Sequence, residues 1–242
     1  MNWKFSLGDN ASKNKISVGI LWFGEYQLFS LLRRLHRISK FGYFFDLKII
    51  GFKNNLIAHQ ELYEFFNTSS FVKIKIDGDM TLLSDDIFLE KLRENPDDEV
   101  RIYPVFDFIT NMQIMGVHIF GKNVILGIPK DSLFPDNYIA ENIIIRHEIF
   151  LSHCKNPSVS QISNFIGHRL KKLLGSKKNK RSYLKIIFIA FAKNWKIMPL
   201  ILYNVLKLFF RKNYKVISES NKILHQKELN KFIKFNLKIN QN

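Results

Sequence analysis

The chain lacks the features that would place it in several common protein classes. Its single cysteine, Cys154, excludes an internal disulfide and fits a reducing compartment. The longest uninterrupted apolar runs, residues 186–192 and 197–203, fall far short of the roughly 20 residues that a transmembrane helix needs. Residues 1–14 are polar and mixed, which predicts that the protein has no signal peptide.

The sequence also lacks the common motifs of phosphate-binding and hydrolytic enzymes. It contains no glycine-rich phosphate loop, no Gly-x-Ser-x-Gly nucleophile motif and no Cys/His zinc pattern. The motifs therefore do not favour P-loop nucleotide hydrolysis, serine-esterase chemistry or a structural zinc site. The hydrophobic content of 46%, in contrast, is ample for a folded core.

Acidic residues are scarce in the C-terminal third of the chain. Overall, 37 basic residues stand against 21 acidic ones, and the net charge is +16. Residues 169–242 contain 19 of the basic residues but only two of the acids. Residues 1–168 are close to neutral. This asymmetry, with the polar and charged stretch before residue 181, predicts one domain at residues 1–180 and a basic helical extension at residues 181–242 that meets something anionic.

The basic extension combines lysines with apolar residues at helical spacing. Lys185, Lys196 and Lys207 recur every 11 residues, which returns them to within roughly 20° of one helix face. Pro199 predicts a break into two helices. The combination favours an amphipathic surface for an anionic membrane, and a protein partner or self-association as a homo-oligomer is the second interpretation. Nucleic acid is the third and least favoured, because arginine is nearly absent from the extension.

The N-terminal part alternates apolar runs with amphipathic segments. Such a strand–helix–strand–helix–strand order is typical of an α/β protein built on a parallel sheet. Strands are predicted at residues 16–23, 43–52 and 71–76, with one helix carrying Leu28, Leu31, Leu32 and Leu35 and another capped by Asn55. Farther along, the pattern predicts strands at residues 101–109 and 113–120 and after residues 121–123, and helices at residues 134–146 and 158–174.

Two acids at the end of the third predicted strand carry the functional hypothesis. Asp77 and Asp79 flank Gly78, and because residues i and i+2 of a strand point the same way, both carboxylates can face one cation. Ligands of such sheets bind at the carboxyl ends of strands. Hard divalent cations prefer carboxylate oxygens and keep positions for phosphates, and Gly78 would let a bulky ligand approach the backbone. The alternative is that Asp-Gly-Asp forms an ordinary turn.

Four segments of the chain resemble one enzyme family. Residues 75–82, Lys-Ile-Asp-Gly-Asp-Met-Thr-Leu, resemble the Asp-x-Asp segment of nucleotide-sugar-dependent glycosyltransferases with the GT-A fold. Residues 18–25 are similar to the first strand and nucleotide-binding turn of small bacterial members that build surface polysaccharide and lipopolysaccharide, and residues 153–158 and 167–171 resemble their C-terminal motif. The resemblance covers residues 16–174. It implies a GT-A-like, Rossmann-like mixed sheet flanked by helices, in a family 2-like enzyme.

The resemblance implies a metal-dependent site for a nucleoside diphosphate. Asp79 would bind Mn²⁺ or Mg²⁺ directly, and Asp77 would lie near the ribose and help to hold the metal through water. The cation would neutralise the negative charge that builds up on the departing diphosphate. His153 matches the late histidine that often completes the metal site in this fold, and the alternative for His153 is an ordinary half-buried histidine.

Further positions would contact the donor. Phe23, Gly24 and Glu25 would border its base and ribose, although the charge of Glu25 is better explained as a first-turn acid at a helix N-terminus. Polar and basic side chains of the C-terminal motif would hold phosphates of the donor or acceptor: His168, Arg169, Lys171 and Lys172. The alternative for these four residues is that they begin the solvated basic region.

A transferase that inverts its sugar also needs a general base for the acceptor hydroxyl. Asp136 and Glu141 fall where the resembled fold usually keeps that acid. The usual Glu-Asp doublet is absent, however, and Asp136 is also a good helix cap. Both carboxylates are therefore candidates, and neither is preferred.

The combined prediction is a glycosyltransferase that moves a sugar from a nucleoside-diphosphate-sugar donor to a lipid-linked or polysaccharide acceptor. It would act in the cytoplasm, as a peripheral protein on the inner face of the cell membrane. The alternative is a metal-dependent phosphodiester or phosphoryl-transfer enzyme that acts on nucleic acid. A non-catalytic scaffold with a decayed site is a third interpretation.

Overall fold

A mixed β-sheet flanked by helices forms the centre of the protein. The computed structural model describes residues 1–94, 96–131, 135, 143–175, 180–210 and 219–238. In chain order the strands are β1 (Asn2–Leu7), β2 (Asn14–Trp22), β3 (Tyr43–Gly51), β4 (Val72–Asp77), β5 (Met80–Leu82), β6 (Val100–Asp107), β7 (Met112–Phe120), β8 (Ile143–Ile145) and β9 (Leu151–His153). The helices are α1 (Gln27–Ser39), α2 (Asn55–Asn67), α3 (Asp85–Arg93), α4 (Val159–Gly175), α5 (Lys180–Lys193), α6 (Met198–Phe210) and α7 (Glu219–Asn236).

The sheet is mixed, with three parallel strands, β3, β2 and β4, next to one another and further parallel and antiparallel pairs beyond them. Its strand order within the described residues is β1-β3-β2-β4-β7-β6-β9-β5, and β8 pairs with β6. β2 runs parallel to β3 and β4, whereas β7 runs antiparallel to β4 and β6. The register pairs Trp22 with Gly51 and Leu21 with Asp77, so these three strands end at one edge of the sheet. The predicted α/β class is confirmed, and the sheet is mixed.

The first helices form for the reasons that their sequence patterns indicate. The four leucines of the α1 stripe, Leu28, Leu31, Leu32 and Leu35, are fully buried in the main hydrophobic core. Burial of each such side chain contributes roughly 2 kcal/mol. The cap of α2 is Asn54 rather than Asn55, because the Asn54 side chain accepts a hydrogen bond from the Leu56 amide at 2.9 Å.

Several elements differ from the predicted pattern. Asn2–Leu7 forms an edge strand that was not predicted, although its alternating burial follows Trp3, Phe5 and Leu7. The predicted helix at residues 134–146 is wrong at its end, since Ile143–Ile145 pairs with β6 as a parallel strand; residues 132–134 and 136–142 lie outside the described residues. The predicted strand after residues 121–123 is wrong as well, because the described residues 124–131 contain no strand.

Helices α5 and α6 pack on α4. Eight side chains form a separate buried cluster at this contact: Ile109, Cys154, Ile162, Ile166, Ile187, Ala190, Ile201 and Val205. The predicted division into two helices is confirmed, but the break lies at Asn194 and a short 3-10 helix, Trp195–Ile197, rather than at Pro199. Pro199 is the second residue of α6, in the first turn, where a helix tolerates proline.

Helix α7 returns to the N-terminal sheet. Leu229, Phe232 and Ile233 are buried in the same core as β1, β2 and α1. The indole nitrogen of Trp3 donates to the Asn230 side chain at 2.7 Å, and the rings of Phe29 and Phe232 lie 5.0 Å apart. The division of the chain at residue 180 stays a prediction, but the extension contains one helix whose apolar face is buried in the N-terminal body.

Within the described residues, no single helix combines the length and apolar character that crossing a bilayer requires. Helix α5 and the segment Trp195–Lys207 meet the length and composition criteria only when taken together, and the two segments are bent by 82°.

Candidate metal centre

The sheet brings Asp79 and His153 together from distant parts of the chain. The backbone turns after β4 through Gly78 and Asp79 and continues as β5, which pairs antiparallel with β9. In this register Met80 lies opposite His153, and the Cys154 amide donates to the Asp79 carbonyl at 3.0 Å. The side chains on either side of this pairing therefore point into one small volume.

Three side chains form a group that could hold a metal ion: Asp79, His153 and Cys154. Their ligand atoms all lie within 4.8 Å of one another. His153 Nε2 lies 3.1 Å from Asp79 Oδ2, and Cys154 Sγ lies 3.1 Å from the same oxygen. Sequence analysis predicted Asp79 and His153 but did not assign Cys154 to the site, although Cys154 directly follows the histidine.

Asp107 holds the other side of the histidine ring. This fully buried carboxylate lies 2.7 Å from His153 Nδ1 through Oδ1. Its second oxygen accepts from the Thr110 amide at 2.9 Å and from the Thr110 hydroxyl. A carboxylate on one ring nitrogen orients the imidazole and leaves the other nitrogen to bind a metal. Sequence analysis missed Asp107; the available signal was an acid near the end of a predicted strand, three residues before a threonine.

Asp79 and His153 each stabilise the charged state of the other. Burial alone lowers the pKa of His153, but the charge of Asp79 and hydrogen bonds to both carboxylates outweigh it and raise the pKa well above its ordinary value. Burial alone raises the pKa of Asp79, but the charge and hydrogen bond of His153 reverse the shift and lower it. Burial raises the pKa of the Cys154 thiol to about 12, so the thiol is protonated and donates to Asp79.

One carboxylate oxygen of Asp79 has unused bonding capacity. Asp79 Oδ1 is buried and finds no hydrogen-bond partner among the described residues. Buried polar atoms are nearly always paired, and an exception marks a place where an ion or water belongs. Asp79 offers this oxygen, and His153 could offer Nε2 once a cation displaces the proton that the ring shares with Asp79, while Asp107 holds Nδ1. The residues present therefore fit a divalent cation.

Glu25 lies beside this group at the turn after β2. Its carboxylate accepts from the Phe23 amide at 2.7 Å. Burial and the charge of Asp79 raise the pKa of Glu25 to about 8. The interpretation of Glu25 as a first-turn helix acid is wrong, because α1 begins at Gln27 and has no acid in its first turn. The turn itself needs a glycine, since Gly24 has a φ of +101°.

Gly78 is required by protein packing at this turn. A Cβ atom there would lie 2.8 Å from Trp22, 3.0 Å from the Leu21 carbonyl and 3.2 Å from the Glu25 carboxylate. These contacts explain why the turn has a glycine here, and the predicted role of Gly78 in ligand binding stays a prediction. Asp77 ends β4 opposite Leu21, outside the group of three.

The loop after Cys154 is tied to the start of α1. The Tyr26 hydroxyl donates to the carbonyls of Lys155 and Asn156 at 3.0 and 3.1 Å. The Gln27 side-chain amide also donates to the Lys155 carbonyl at 3.0 Å. These bonds connect the Phe23–Glu25 turn to the metal group, so the predicted nucleotide turn and the predicted metal ligands lie in one neighbourhood.

Helix α4 directs an arginine towards the same neighbourhood. The Arg169 guanidinium lies 4.8 Å from the centre of the Phe165 ring, which is 5.9 Å from the His153 ring. Arg169 Nε is buried and has no partner among the described residues. Burial lowers the pKa of Arg169, and the charge of Asp107 opposes that shift. Arg169 is therefore a cation with unused donor capacity near the metal group.

His168, which precedes Arg169 in α4, differs from Arg169 in its charge. Burial, followed by the charges of Lys172, Arg169 and Lys171, lowers the pKa of His168 to about 3. His168 is therefore neutral at pH 7 and could offer a phosphate only a neutral N–H group.

The two predicted general-base candidates, Asp136 and Glu141, lie outside the described residues. Comparison with protein-family models and with curated proteins gave no match to this chain.

Proposed function

We propose that the protein is a metal-dependent glycosyltransferase with a GT-A-like fold, which takes a sugar from a nucleoside-diphosphate donor. One observation carries the proposal: Asp79, at the carboxyl edge of the parallel strands, has a buried oxygen without a partner and a histidine against its other oxygen. That edge is where ligands of such sheets bind. The resemblance of residues 75–82 to an Asp-x-Asp segment supports the same proposal.

Different residues of the site would bind the cation, the diphosphate and the ribose of the donor. Asp79 and His153 would bind the cation, and Asp107 would keep the ring of His153 in the orientation that exposes Nε2. A bound cation supplies positive charge to the leaving diphosphate. Arg169 would add a second positive group, and its buried Nε is a donor without a partner among the described residues. Asp77 would contact the ribose from the end of β4.

The donor atoms favour Mn²⁺ or Mg²⁺ over a zinc–thiolate centre. Structural zinc–thiolate sites bind the metal through two to four cysteines, whereas Cys154 is the only cysteine of the chain. The remaining ligands are a carboxylate oxygen and an imidazole nitrogen, and phosphate oxygens would complete the shell. Because an imidazole is present, Mn²⁺ is the better fit of the two cations.

A thermal-melt screen tests the proposal directly. The protein would be melted with UDP, GDP or an oligonucleotide, each with and without Mn²⁺. We expect a nucleoside diphosphate with Mn²⁺ to raise the melting temperature of the wild type and to have little effect on Asp79→Asn. Stabilisation by the oligonucleotide, together with its cleavage, would instead favour the phosphodiester alternative. Hydrolysis of a panel of nucleotide sugars would then identify the donor.

The acceptor in this proposal is a lipid-linked or polysaccharide hydroxyl compound. Asp136 and Glu141 remain the proposed general bases for its hydroxyl group. A test is transfer at saturating donor by Asp136→Asn and Glu141→Gln. The variant that lacks the base should lose transfer to the acceptor and keep binding of the nucleotide, as measured by the same melt.

A further inference from the structure

Helices α5 and α6 leave a large apolar surface uncovered by the described part of the chain. We define the corner surface by its six apolar side chains that are at least half exposed: Leu184, Phe188, Trp195, Leu200, Tyr203 and Leu206. The opposite side of the same helices is buried against α4 through Ile187, Ala190, Ile201 and Val205. The helices are thus docked, and the corner surface belongs to the folded protein. So many exposed apolar side chains on two neighbouring helices indicate contact with another molecule.

The charge of the corner indicates which molecule that is. Residues 180–210 contain six Lys or Arg residues and no acid. Lys185, Lys196 and Lys207 are exposed beside the apolar side chains, and the Lys207 ammonium lies 5.7 Å from the Tyr203 ring. A second copy of the chain would set the same cations against each other across a two-fold contact. Anionic lipid headgroups above acyl chains complement both the charge and the apolar area.

The shape of the corner fits a surface that lies on a membrane. Helices α5 and α6 have 14 and 13 residues, so each is about 20 Å long, and the bilayer interior is about 30 Å thick. The two segments are bent by 82° and do not form one straight helix. Trp195 and Tyr203 are residue types that prefer the level of the headgroups.

The corner is joined to the metal centre by hydrogen bonds. The Lys193 ammonium donates to the Phe108 carbonyl and to the Asn111 side chain. The Asn194 side chain donates to the Ile109 carbonyl at 3.3 Å. All three acceptors belong to the loop that begins at Asp107, the carboxylate that holds His153. A surface that contacts lipid at this corner would therefore hold the metal centre close to the membrane.

We propose that the corner surface docks on the surface of an anionic lipid bilayer, and that α7 takes no part in this contact. The proposal is independent of the sugar-transfer proposal. It also restricts the membrane contact of residues 181–242 to α5 and α6, because α7 packs on the main core through Leu229, Phe232 and Ile233.

The test is sedimentation of the full chain with lipid vesicles. We expect binding to phosphatidylcholine vesicles that contain about one third phosphatidylglycerol, and much weaker binding to phosphatidylcholine alone. High salt should weaken the binding only in part, because the burial of apolar side chains is not screened. Equal recovery in the supernatant with and without anionic vesicles would overturn the proposal.

Two pairs of variants locate the contact. Phe188 and Phe41 are 73% and 74% exposed, but only Phe188 lies on the corner; Trp195 and Phe235 are 63% and 64% exposed, and Phe235 lies on α7. We expect Phe188→Ser and Trp195→Ser each to weaken vesicle binding by about tenfold or more, and Phe41→Ser and Phe235→Ser to leave it unchanged. An equal loss with Phe235→Ser would show that the whole extension binds, and would overturn the restriction to α5 and α6.

Lysine variants provide a second test, which measures the electrostatic part of vesicle binding. Replacing Lys185, Lys196 and Lys207 by Gln should weaken binding to anionic vesicles by about fivefold per residue and leave weak binding to neutral vesicles unchanged. If oligomeric state changes in these variants while vesicle binding does not, the occupant is a second copy and the lipid proposal is wrong. Binding of Mn²⁺ and nucleotide, measured by thermal melt in the same variants, should be unaffected and reports separately on the proposed function.

Discussion

The metal centre and the corner surface depart from ordinary protein structure in opposite directions. At the metal centre, charged groups are buried: Asp107 is fully enclosed and Asp79 retains a buried oxygen without a partner. At the corner, apolar side chains such as Phe188 and Trp195 are exposed to water. Each departure is unfavourable in free energy, and in our proposals a cation compensates the first and lipid compensates the second. The comparison teaches that the type of uncompensated group identifies the type of partner.

The two regions are close in space and separate in chemistry. Helix α4 packs between them, and the Asp107–Asn111 loop contacts both. Variants of one region should therefore leave the other function intact if our assignments hold. The predictions below use this separation, from the largest expected effect to the smallest.

The largest effect is expected for Asp79→Asn. An amide replaces the carboxylate charge that would bind the cation, so donor hydrolysis and sugar transfer should fall by about 10²- to 10³-fold. Turnover at saturating donor and Mn²⁺ measures this, with Asp86→Asn on the exposed first turn of α3 as the control acid. Vesicle binding of Asp79→Asn should equal that of the wild type. Near-normal turnover would contradict the assignment of Asp79 as a metal ligand.

Asp107→Asn should have a smaller effect on the same centre. The amide keeps the volume but removes the charge that holds His153 Nδ1, so Mn²⁺ affinity should fall by about 10- to 100-fold. A titration with Mn²⁺ measures the affinity, and excess Mn²⁺ should restore part of the turnover. A purely structural role would lower the melting temperature without a shift in the Mn²⁺ titration. Because the Asp107–Asn111 loop also supports α5, vesicle binding checks that the loop is still folded.

Cys154→Ser distinguishes a hard-cation site from a zinc–thiolate site. If the thiol only donates to Asp79, a serine hydroxyl can replace it, and Mn²⁺-dependent turnover should change by no more than about threefold. A loss comparable to that of Asp79→Asn, with zinc bound to the wild-type protein by metal analysis, would show that the sulfur is a ligand.

The smallest effect concerns the pH dependence of stability through His168. Its pKa is about 3 in the folded protein and below its ordinary value of 6.5, so the folded state binds fewer protons than the unfolded state. Stability from this residue is therefore complete above pH 6.5 and is lost as pH falls from 6.5 towards 3. We expect the melting temperature of His168→Gln to fall less steeply than that of the wild type over this range. Parallel curves would contradict the low pKa.

Local patterns were sufficient for the regular elements that bury one face. The leucine stripe of α1 and the apolar runs of β2, β3 and β4 each follow a period that the chain itself displays. The pattern was insufficient for β5, β8 and β9, which have three residues each and exist only because neighbouring strands pair with them. The acid pair was correctly placed at the end of a strand, because the apolar run that predicts β4 stops at this pair.

The composition of the site depended on long-range pairing. Asp79 and His153 were expected through a family resemblance, but Asp107 joins them only because β6 pairs with β9 and brings residue 107 opposite residue 153. The role of Glu25 was misassigned because its distance from Asp79 cannot be read from spacing along the chain. The electrical state of the group, with a protonated thiol and a carboxyl of raised pKa, likewise follows from burial.

Two properties were therefore already present in the chain: its α/β alternation, because hydrophobic period is a local quantity, and its excess of positive charge, because composition does not depend on folding. The tertiary structure alone decided how the extension at residues 181–242 is used. It packed α7 on the main core, and it packed α5 and α6 on α4 while leaving apolar side chains of these two helices, such as Phe188, exposed. The physical reason is that an amphipathic pattern requires burial of one face without specifying the surface that buries it.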